Sequence, residues 1–196
     1  MSNKIKVSIP LNNSIINELR AGDRVLLSGT IYTARDAAHK RMIENLKKGI
    51  PIPFDIDGEV IYYVGMCPAK PNFAAGSAGP TTSGRMDKYT PTLIGLGLKG
   101  MIGKGTRDKS VIEAIKNHNC VYFAAIGGTA VLIADSIKKE EVIAYEDLGT
   151  EAIKKLWVED MQVIVAIDSK GNNIYDIEPT KYENMFTNIS ERGDNE

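Results

Sequence analysis

The sequence has few cysteines, no long apolar run and no excess of charge. Cys67 and Cys120 are the two cysteines among 196 residues, and two distant thiols do not build the disulfide framework of a small secreted protein. A cubane iron–sulfur cluster normally needs three or four thiolates, so this chain alone does not supply the usual set. No stretch approaches the roughly 20 apolar residues of a membrane span, and residues 1–10 lack the apolar core of a signal peptide. We therefore expect a cytoplasmic protein without a membrane segment.

The charges are nearly balanced, with 24 Lys and Arg against 25 Asp and Glu. This balance argues against a general nucleic-acid binder, because binding a duplex needs a concentrated basic field. The 43% of hydrophobic residues is typical of a folded globular protein. The length predicts one domain, which we bound at residues 1–187, followed by a polar tail at 188–196.

Zinc is one possible use of the two cysteines. Together with His39 and His118 they would complete a two-Cys, two-His site, although no pair has the spacing of a zinc finger. Burial as structural thiols is the commoner role for such cysteines, and we favour it here.

Strand and helix patterns alternate along the chain, which predicts an α/β fold with a largely buried sheet. Gly29 interrupts a β-branched run and predicts a bulge or a close backbone approach. The predicted helices cover 12–20, 34–48, 90–96, 108–118 and 130–137. The predicted strands cover 25–33, 60–64, 100–103, 121–126, 142–145 and 161–168. Residues 67–85 form a long loop of small residues, and loops of this length are usually functional or disordered.

Four segments have the residue types of an anion-binding site. Arg35 and His39 are four residues apart near a helix N-terminus, where free N–H groups and the helix dipole favour an anion. The alternative is a solvated first turn with an internal ion pair between Asp36 and Lys40. In the second segment, residues 76–85 combine close backbone approach, an anion-binding nest and three hydroxyls with Arg85, without the ending of a Walker loop. A flexible surface loop is the alternative there.

The other two segments lie at further strand ends. Lys104 stands between two glycines, which leaves its ammonium accessible to a ligand, although an ordinary turn lysine would look the same. Residues 127–129 (Gly-Gly-Thr) predict either another anion site or a tight strand–helix junction. The sequence favours neither interpretation. Together the four segments indicate half of an active site for a small dianion.

Several ordered runs carry a family resemblance: ARDAAHKR, CPAKP, SAGPTTSGRMD, GMIGKGTR, IGGTAV, VEDM and DSKGN. They resemble the β subunit of class I (iron–sulfur) fumarate hydratase, the related L(+)-tartrate dehydratase β subunit, and the C-terminal domain of single-chain class I fumarases. The resemblance covers nearly the whole chain and implies a swivelling β/β/α domain. It also implies reversible hydration of fumarate to (S)-malate.

The resemblance implies a division of labour between two chains. An α subunit would carry a [4Fe-4S] cluster, whose open iron acts as a Lewis acid on the substrate. This chain would bind no cofactor alone, would be inactive alone, and would join a hetero-oligomer with two copies of each subunit. Its own contribution would be a clamp for the dicarboxylate and a group for proton transfer.

The resemblance also assigns roles to individual residues. Arg35 and Arg85 would grip the substrate carboxylates, and Thr81 would exchange a proton at the substrate carbon. His39 corresponds to the histidine marked as active in the tartrate dehydratase branch. The full implied set is catalytic His39, Thr81 and Lys104 and substrate-binding Arg35, Arg85, Lys104, Gly79 and Thr82, with no metal ligand.

Gly84 and Asp87 favour a fumarase over a tartrate dehydratase within that resemblance, because the tartrate enzymes have a bulkier residue at the position of Gly84. Two alternatives stay open: a tartrate dehydratase β subunit, which would convert tartrate to oxaloacetate and water, and a non-catalytic dicarboxylate-binding or assembly domain.

Overall fold

The computed structural model describes residues 4–67, 75–125 and 130–177. The strands are β1 (Ile5–Ser8), β2 (Arg24–Thr33), β3 (Val60–Tyr62), β4 (Gly100–Gly103), β5 (Val121–Ala124), β6 (Ile137–Ala144) and β7 (Ile153–Ile167). The helices are α1 (Asn13–Glu18), α2 (Asp36–Lys47), α3 (Thr90–Gly95), α4 (Lys109–His118) and α5 (Ala130–Ser136). Within these ranges no helix has the length and apolar character needed to cross a membrane.

One sheet contains all seven strands in the order β1-β2-β3-β4-β5-β7-β6. Strands β1 to β5 are parallel to their neighbours. Strand β7 runs antiparallel to both β5 and β2, so β2, β3, β4, β5 and β7 close into a ring. Because β2 to β5 are parallel, their carboxyl ends meet at one end of this barrel.

Alternate residues of the central strands pack on opposite faces of the sheet. Ile61 and Met101 belong to a core formed with residues of α2, α3 and α4, whereas Tyr62 and Ile102 belong to a second core. Helices α2, α3 and α4 therefore cover one face of the strands, and the second core, which includes Ile16 of α1 and Ile133 of α5, packs on the other face. This period-two division follows from strand geometry.

The predicted helices and strands are present, with changed ends. Helix α2 begins at Asp36 rather than residue 34, because Arg35 is its N-cap with an extended backbone. Strand β7 begins eight residues before the predicted start, and β6 begins five residues early. Charged residues interrupt the apolar pattern at the start of β7, and four consecutive Lys and Glu residues follow Ile137 in β6. Strand β1 has a single buried residue, Val7, and the sequence did not predict it.

Gly29 confirms its prediction. The register of β2 against β7 shifts between Leu27 and Gly29, and a Cβ at Gly29 would lie 2.7 Å from the carbonyl oxygen of Ile9. The sequence predicted that both cysteines are buried. This is confirmed for Cys120 and wrong for Cys67, which is exposed. Residues 127–129, residue 187 and the tail at 188–196 lie outside the described residues.

Candidate active site

The predicted site residues follow the carboxyl ends of three parallel strands. Arg35 comes two residues after β2, the loop with Thr81 and Arg85 follows β3, and Lys104 comes directly after β4. Ligands of open α/β sheets bind at this end of the strands, in the crevice where neighbouring strands diverge. The ends of β3 and β4 diverge in the same way in this ring.

The loop at Thr81 to Ser83 lies between the diverging ends of β3 and β4. The backbone N–H of Thr81 donates to the carbonyl oxygen of Tyr63 at 2.8 Å, and the Lys104 N–H donates to the carbonyl of Thr81 at 3.3 Å. The Ser83 N–H donates back to the Lys104 carbonyl at 3.0 Å, and Thr82 forms a β-bridge with Lys104. Thr81 is therefore held by main-chain bonds on both sides.

A carboxylate lies between the two predicted carboxylate-binding arginines. Arg35 Nε is 4.0 Å from Asp36 Oδ2, and Arg85 Nε is 3.4 Å from Asp36 Oδ1. Arg85 Nη2 donates a hydrogen bond to Thr81 Oγ1, and Arg35 Nη2 lies 3.6 Å from Glu151 Oε1. One continuous set of charged and hydroxyl groups thus joins Arg35, Arg85 and Thr81.

Arg35 is seated by its surroundings. A Cβ on Gly65 would lie 2.2 Å from Arg35 Nη1, so only glycine leaves room for the guanidinium in this position. Glu151, which lies just before β7, also accepts a hydrogen bond from the Ala37 N–H at 2.8 Å. The first turn of α2 and the carboxylate of Glu151 together hold Arg35 at the barrel end.

Lys104 extends from the same end but apart from the arginines. It is exposed, and its Nζ makes no ion pair or hydrogen bond with any residue that the structure describes. A Cβ on Gly103 would lie 1.9 Å from Ser83 Oγ, and Gly105 has a φ of +81°. The flanking glycines therefore allow the close loop contact and the turn, and leave the ammonium open to solvent.

A buried ion pair braces this end of the barrel. Arg107 Nε donates to Asp87 Oδ1 at 2.7 Å, and the two side chains are 0% and 2% exposed. Arg107 Nη2 also donates to Thr90 Oγ1 at 2.9 Å, and the guanidinium lies over the rings of Tyr63 and Tyr122 at 5.2 and 4.9 Å. The brace ties the loop that carries Arg85 to the loop that carries Lys104.

His39 does not share the exposed face of Arg35. It is fully buried, its Nδ1 donates to the Arg35 carbonyl at 2.8 Å, and its Nε2 has no hydrogen-bond partner among the described residues. Burial lowers the pKa of His39 to about 4, against the opposing effect of that hydrogen bond. The ring is therefore neutral near pH 7 and lies behind Arg35, next to the ring of Tyr63. Its catalytic role stays a prediction.

The alternative for this first turn is wrong. Asp36 pairs with Arg35 and Arg85, whereas Lys40 Nζ lies 3.8 Å from Glu44 Oε1. No ion pair between Asp36 and Lys40 is present.

The two remaining predicted residues lie at the edge of the site. Thr82 is exposed beside Lys104. Gly79 lies near the start of α5, where an added Cβ would be 3.5 Å from the Cβ of Ala130. Their contacts to a substrate stay predictions.

The sequence assigned no role in the site to four charged residues that the structure places there: Asp36, Asp87, Arg107 and Glu151. Three of them stand inside the runs that carry the family resemblance, directly beside or close to a predicted residue. That adjacency was the available signal, but it does not show which groups pair, since Asp87 pairs with Arg107 twenty residues later. For Glu151 the sequence holds no comparable signal.

The described residues do not fit an iron–sulfur cluster or a zinc ion. Burial raises the pKa of the Cys120 thiol to about 12, and this thiol donates to the Leu98 carbonyl at 3.2 Å, so it is not a ready thiolate ligand. Cys67 is exposed. Among residues 4–67, 75–125 and 130–177 no three His, Cys, Asp or Glu side chains are placed to hold a metal ion. The zinc site considered from the sequence is therefore wrong for this part of the chain.

The sequence matches a family model and several known proteins. The family model described as "Fumarase C-terminus" matches residues 1–177. A putative L(+)-tartrate dehydratase subunit beta of Methanocaldococcus jannaschii is 40% identical over 172 residues, which are 85% of this chain and 88% of that protein.

Two longer relatives are named fumarate hydratases. Fumarate hydratase 2 of Leishmania major is 40% identical over 162 residues, or 82% of this chain and 28% of that protein. The aerobic class I fumarate hydratase of Salmonella typhimurium is 39% identical over 162 residues, with the same two coverages of 82% and 28%. The chain thus spans less than a third of the length of these two relatives.

Proposed function

This chain belongs to the fumarase C-terminus family, and from that premise we propose that it supplies the dicarboxylate-binding half of a hydro-lyase active site. The single observation that carries the proposal is the group formed by Arg35, Arg85 and the Thr81 hydroxyl at the carboxyl ends of the parallel strands. A guanidinium presents a planar pair of N–H donors that matches a carboxylate. Two guanidiniums beside one hydroxyl suit a four-carbon dicarboxylate. Each guanidinium would bind one carboxylate, and the reacting carbon would lie between the two.

The proposed reaction is the reversible removal of water from a 2-hydroxy dicarboxylate. The C–H electron pair of one carbon becomes the new C=C bond, hydroxide leaves the neighbouring carbon and would be accepted by the Lewis acid of the partner, and the proton passes to the alkoxide form of Thr81 Oγ1, which becomes a hydroxyl. Threonine is a weak base at its ordinary pKa, so the alkoxide form has to be stabilised by its surroundings. The hydrogen bond from Arg85 Nη2 to Oγ1 supplies such a positive donor. Thr81 is exposed enough to reach a ligand, whereas His39 is fully buried.

The rest of the site would come from a partner. We propose an α-type subunit that carries a [4Fe-4S] cluster and assembles with this chain, with two copies of each. The relative named subunit beta, which this chain covers over 88% of its length, supports a separate subunit. The longer fumarate hydratases support a partner segment that is fused to the same chain in other proteins. A swivelling β/β/α domain and a cytoplasmic location belong to the same proposal.

Fumarate is the substrate we favour, and tartrate is the second candidate. Gly84 is open to solvent, and an added Cβ would have no atom nearer than the Thr106 carbonyl oxygen at 4.0 Å. Packing therefore does not require glycine there, and its small size is available to the ligand. The 40% identity to a putative tartrate dehydratase subunit beta keeps tartrate as the competing substrate.

Co-expression tests the proposal. This chain would be purified with an α-type chain containing three suitably spaced cysteines, the cluster reconstituted without oxygen, and turnover measured with fumarate, malate and tartrate. We expect turnover by the complex, and neither turnover nor a stoichiometric cluster in this chain alone. Turnover without a partner would contradict the division of labour. A complex that forms but turns over none of the three acids would favour the assembly-domain alternative.

A further inference from the structure

Asp36 lies within ion-pair distance of two guanidiniums but makes no hydrogen bond to either. Its Oδ2 is buried and has no hydrogen-bond partner among the described residues, and the same is true of the Arg35 Nε–H, which lies 4.0 Å away. Its Oδ1 is 3.4 Å from Arg85 Nε. A buried carboxylate oxygen normally has a donor, so this arrangement calls for an explanation beyond local packing.

Arg85 has two ends with different neighbours. Its Nε faces Asp36, and its Nη2 donates to Thr81 Oγ1. The side chain is 48% exposed, so packing alone does not hold it. An arginine this exposed samples several rotamers, and the negative charge at Nε favours those in which Nε faces helix α2. In the rotamer seen here, Nη2 reaches Thr81 while Nε faces Asp36.

Resting on the proposed function, we propose that Asp36 is a positioning residue: it holds Arg35 and Arg85 on either side of its carboxylate and selects the Arg85 rotamer that donates to Thr81. Asp36 itself does not need to touch the substrate. Its charge also reduces the net positive field that a dianion would meet at the two arginines. It therefore weakens ground-state binding slightly while it maintains the geometry needed for proton transfer.

A simpler role for Asp36 is structural. An acidic residue in the first turn of a helix stabilises that helix through its dipole, and Asp36 is the first residue of α2. The two roles predict different kinetics. Loss of a helix-stabilising charge lowers stability and the amount of folded enzyme, so the fall in turnover that it causes disappears when kcat is expressed per folded, assembled complex.

Asp36→Asn keeps the shape of the side chain and removes its charge. In the assembled complex we expect kcat to fall at least about tenfold, because the donor to Thr81 is no longer held, a loss typical of one charge-assisted hydrogen bond. KM for the dicarboxylate should stay unchanged or fall, because the site gains positive charge. Glu44→Gln is the matched control, since it removes one carboxylate from the same helix in an exposed pair with Lys40. It should leave both constants unchanged.

A second readout uses the full chain without its partner. The arginine Nε–H signals of the ¹⁵N-labelled protein can be assigned with Arg35→Lys and Arg85→Lys. In Asp36→Asn we expect the Arg85 Nε–H signal to shift and to exchange faster with water, whereas Glu44→Gln should leave it in place.

The outcomes separate the two proposals. If the wild-type complex turns over and Arg85→Lys impairs it, but Asp36→Asn equals wild type, the positioning role is overturned while the proposed function stands. If the loss of kcat in Asp36→Asn disappears when kcat is expressed per folded, assembled complex, the role is structural and the inference is also overturned. If the wild-type complex is inactive on every dicarboxylate, the proposed function fails. If the Arg85 Nε–H signal does not shift in Asp36→Asn, Asp36 does not position Arg85, and the inference is overturned.

Discussion

Asp87→Asn tests whether the buried brace holds the barrel end together. Asp87 Oδ1 accepts from Arg107 Nε at 2.7 Å, and Oδ2 accepts from the Asp108 N–H at 2.6 Å. The substitution preserves the shape but removes the negative charge. Arg107 then keeps a full positive charge in the interior, next to Thr90 and two tyrosine rings.

The cost follows from the burial of both partners. Removing one member of a buried ion pair destabilises a protein by about 3–5 kcal/mol, because the other charge stays buried without compensation. In a domain of this size each kcal/mol lowers Tm by about 2–4 °C, so Asp87→Asn should lower Tm by roughly 6–20 °C.

Thermal and urea unfolding, followed by circular dichroism, measure this change. The matched control is Asp147→Asn, because Asp147 accepts from Arg41 in a two-pronged pair at 2.6 and 2.8 Å on the surface. Since water replaces the lost partner of an exposed pair, the control should unfold almost as wild type does. Equal effects of the two variants would refute the argument that burial, rather than geometry, decides the strength of the brace.

Further predictions concern the charged and titrating groups. Arg85→Lys and Arg35→Lys should each lower kcat/KM at least about tenfold in the assembled complex, because a point charge does not replace a planar fork; steady-state kinetics on an intact complex would show near-normal values if neither grips a carboxylate. The pKa of His39 is lowered to about 4 by burial, so the unfolded chain binds more protons below pH 6.5, and the free energy of unfolding should fall by up to about 3 kcal/mol as pH falls from 6.5 to 4. Urea titrations across that range should show a flatter dependence in His39→Asn, and an unchanged slope would contradict the assignment. The pKa of Glu59 is raised to about 7, first by burial; the folded chain therefore binds the extra proton, stability should fall as pH rises from 4.5 to 7, and Glu59→Gln should remove this component.

The order of helices and strands, and the position of the candidate site residues after the strands, could be predicted from sequence. Hydrophobic periodicity and glycine punctuation are local signals, and they located α2, α4 and β4 to within two residues. The placement of Arg35, Thr81 and Lys104 after successive strands followed from the same patterns.

Closure of the barrel could not be predicted in this way. It depends on pairing β2 with β7, whose partners Thr33 and Lys154 are more than a hundred residues apart. Local periodicity contains no information on such pairings, and the charged alternation at the start of β7 hid half of that strand. Since the ring decides which side of α2 faces inward, the burial of His39 was equally hidden, although its spacing from Arg35 was plain.

Side-chain pairings within the site show the same limit. Asp87 and Arg107 are twenty residues apart and meet only because β3 and β4 place their loops side by side. Glu151 reaches Arg35 only because β7 is antiparallel to β2 and begins at the same end of the barrel. Each pairing is a consequence of topology.

The most direct test of the account is the rate of fumarate hydration by the assembled complex carrying Thr81→Val. Removing the hydroxyl at constant shape should lower kcat by at least about a hundredfold, within the usual contribution of general acid–base catalysis, and leave KM close to normal. Thr106→Val, a nearby exposed threonine outside the charged group, should retain wild-type turnover. Near-normal turnover in Thr81→Val, with loss of turnover in His39→Asn, would contradict the account. The proton-transfer role would then belong to His39.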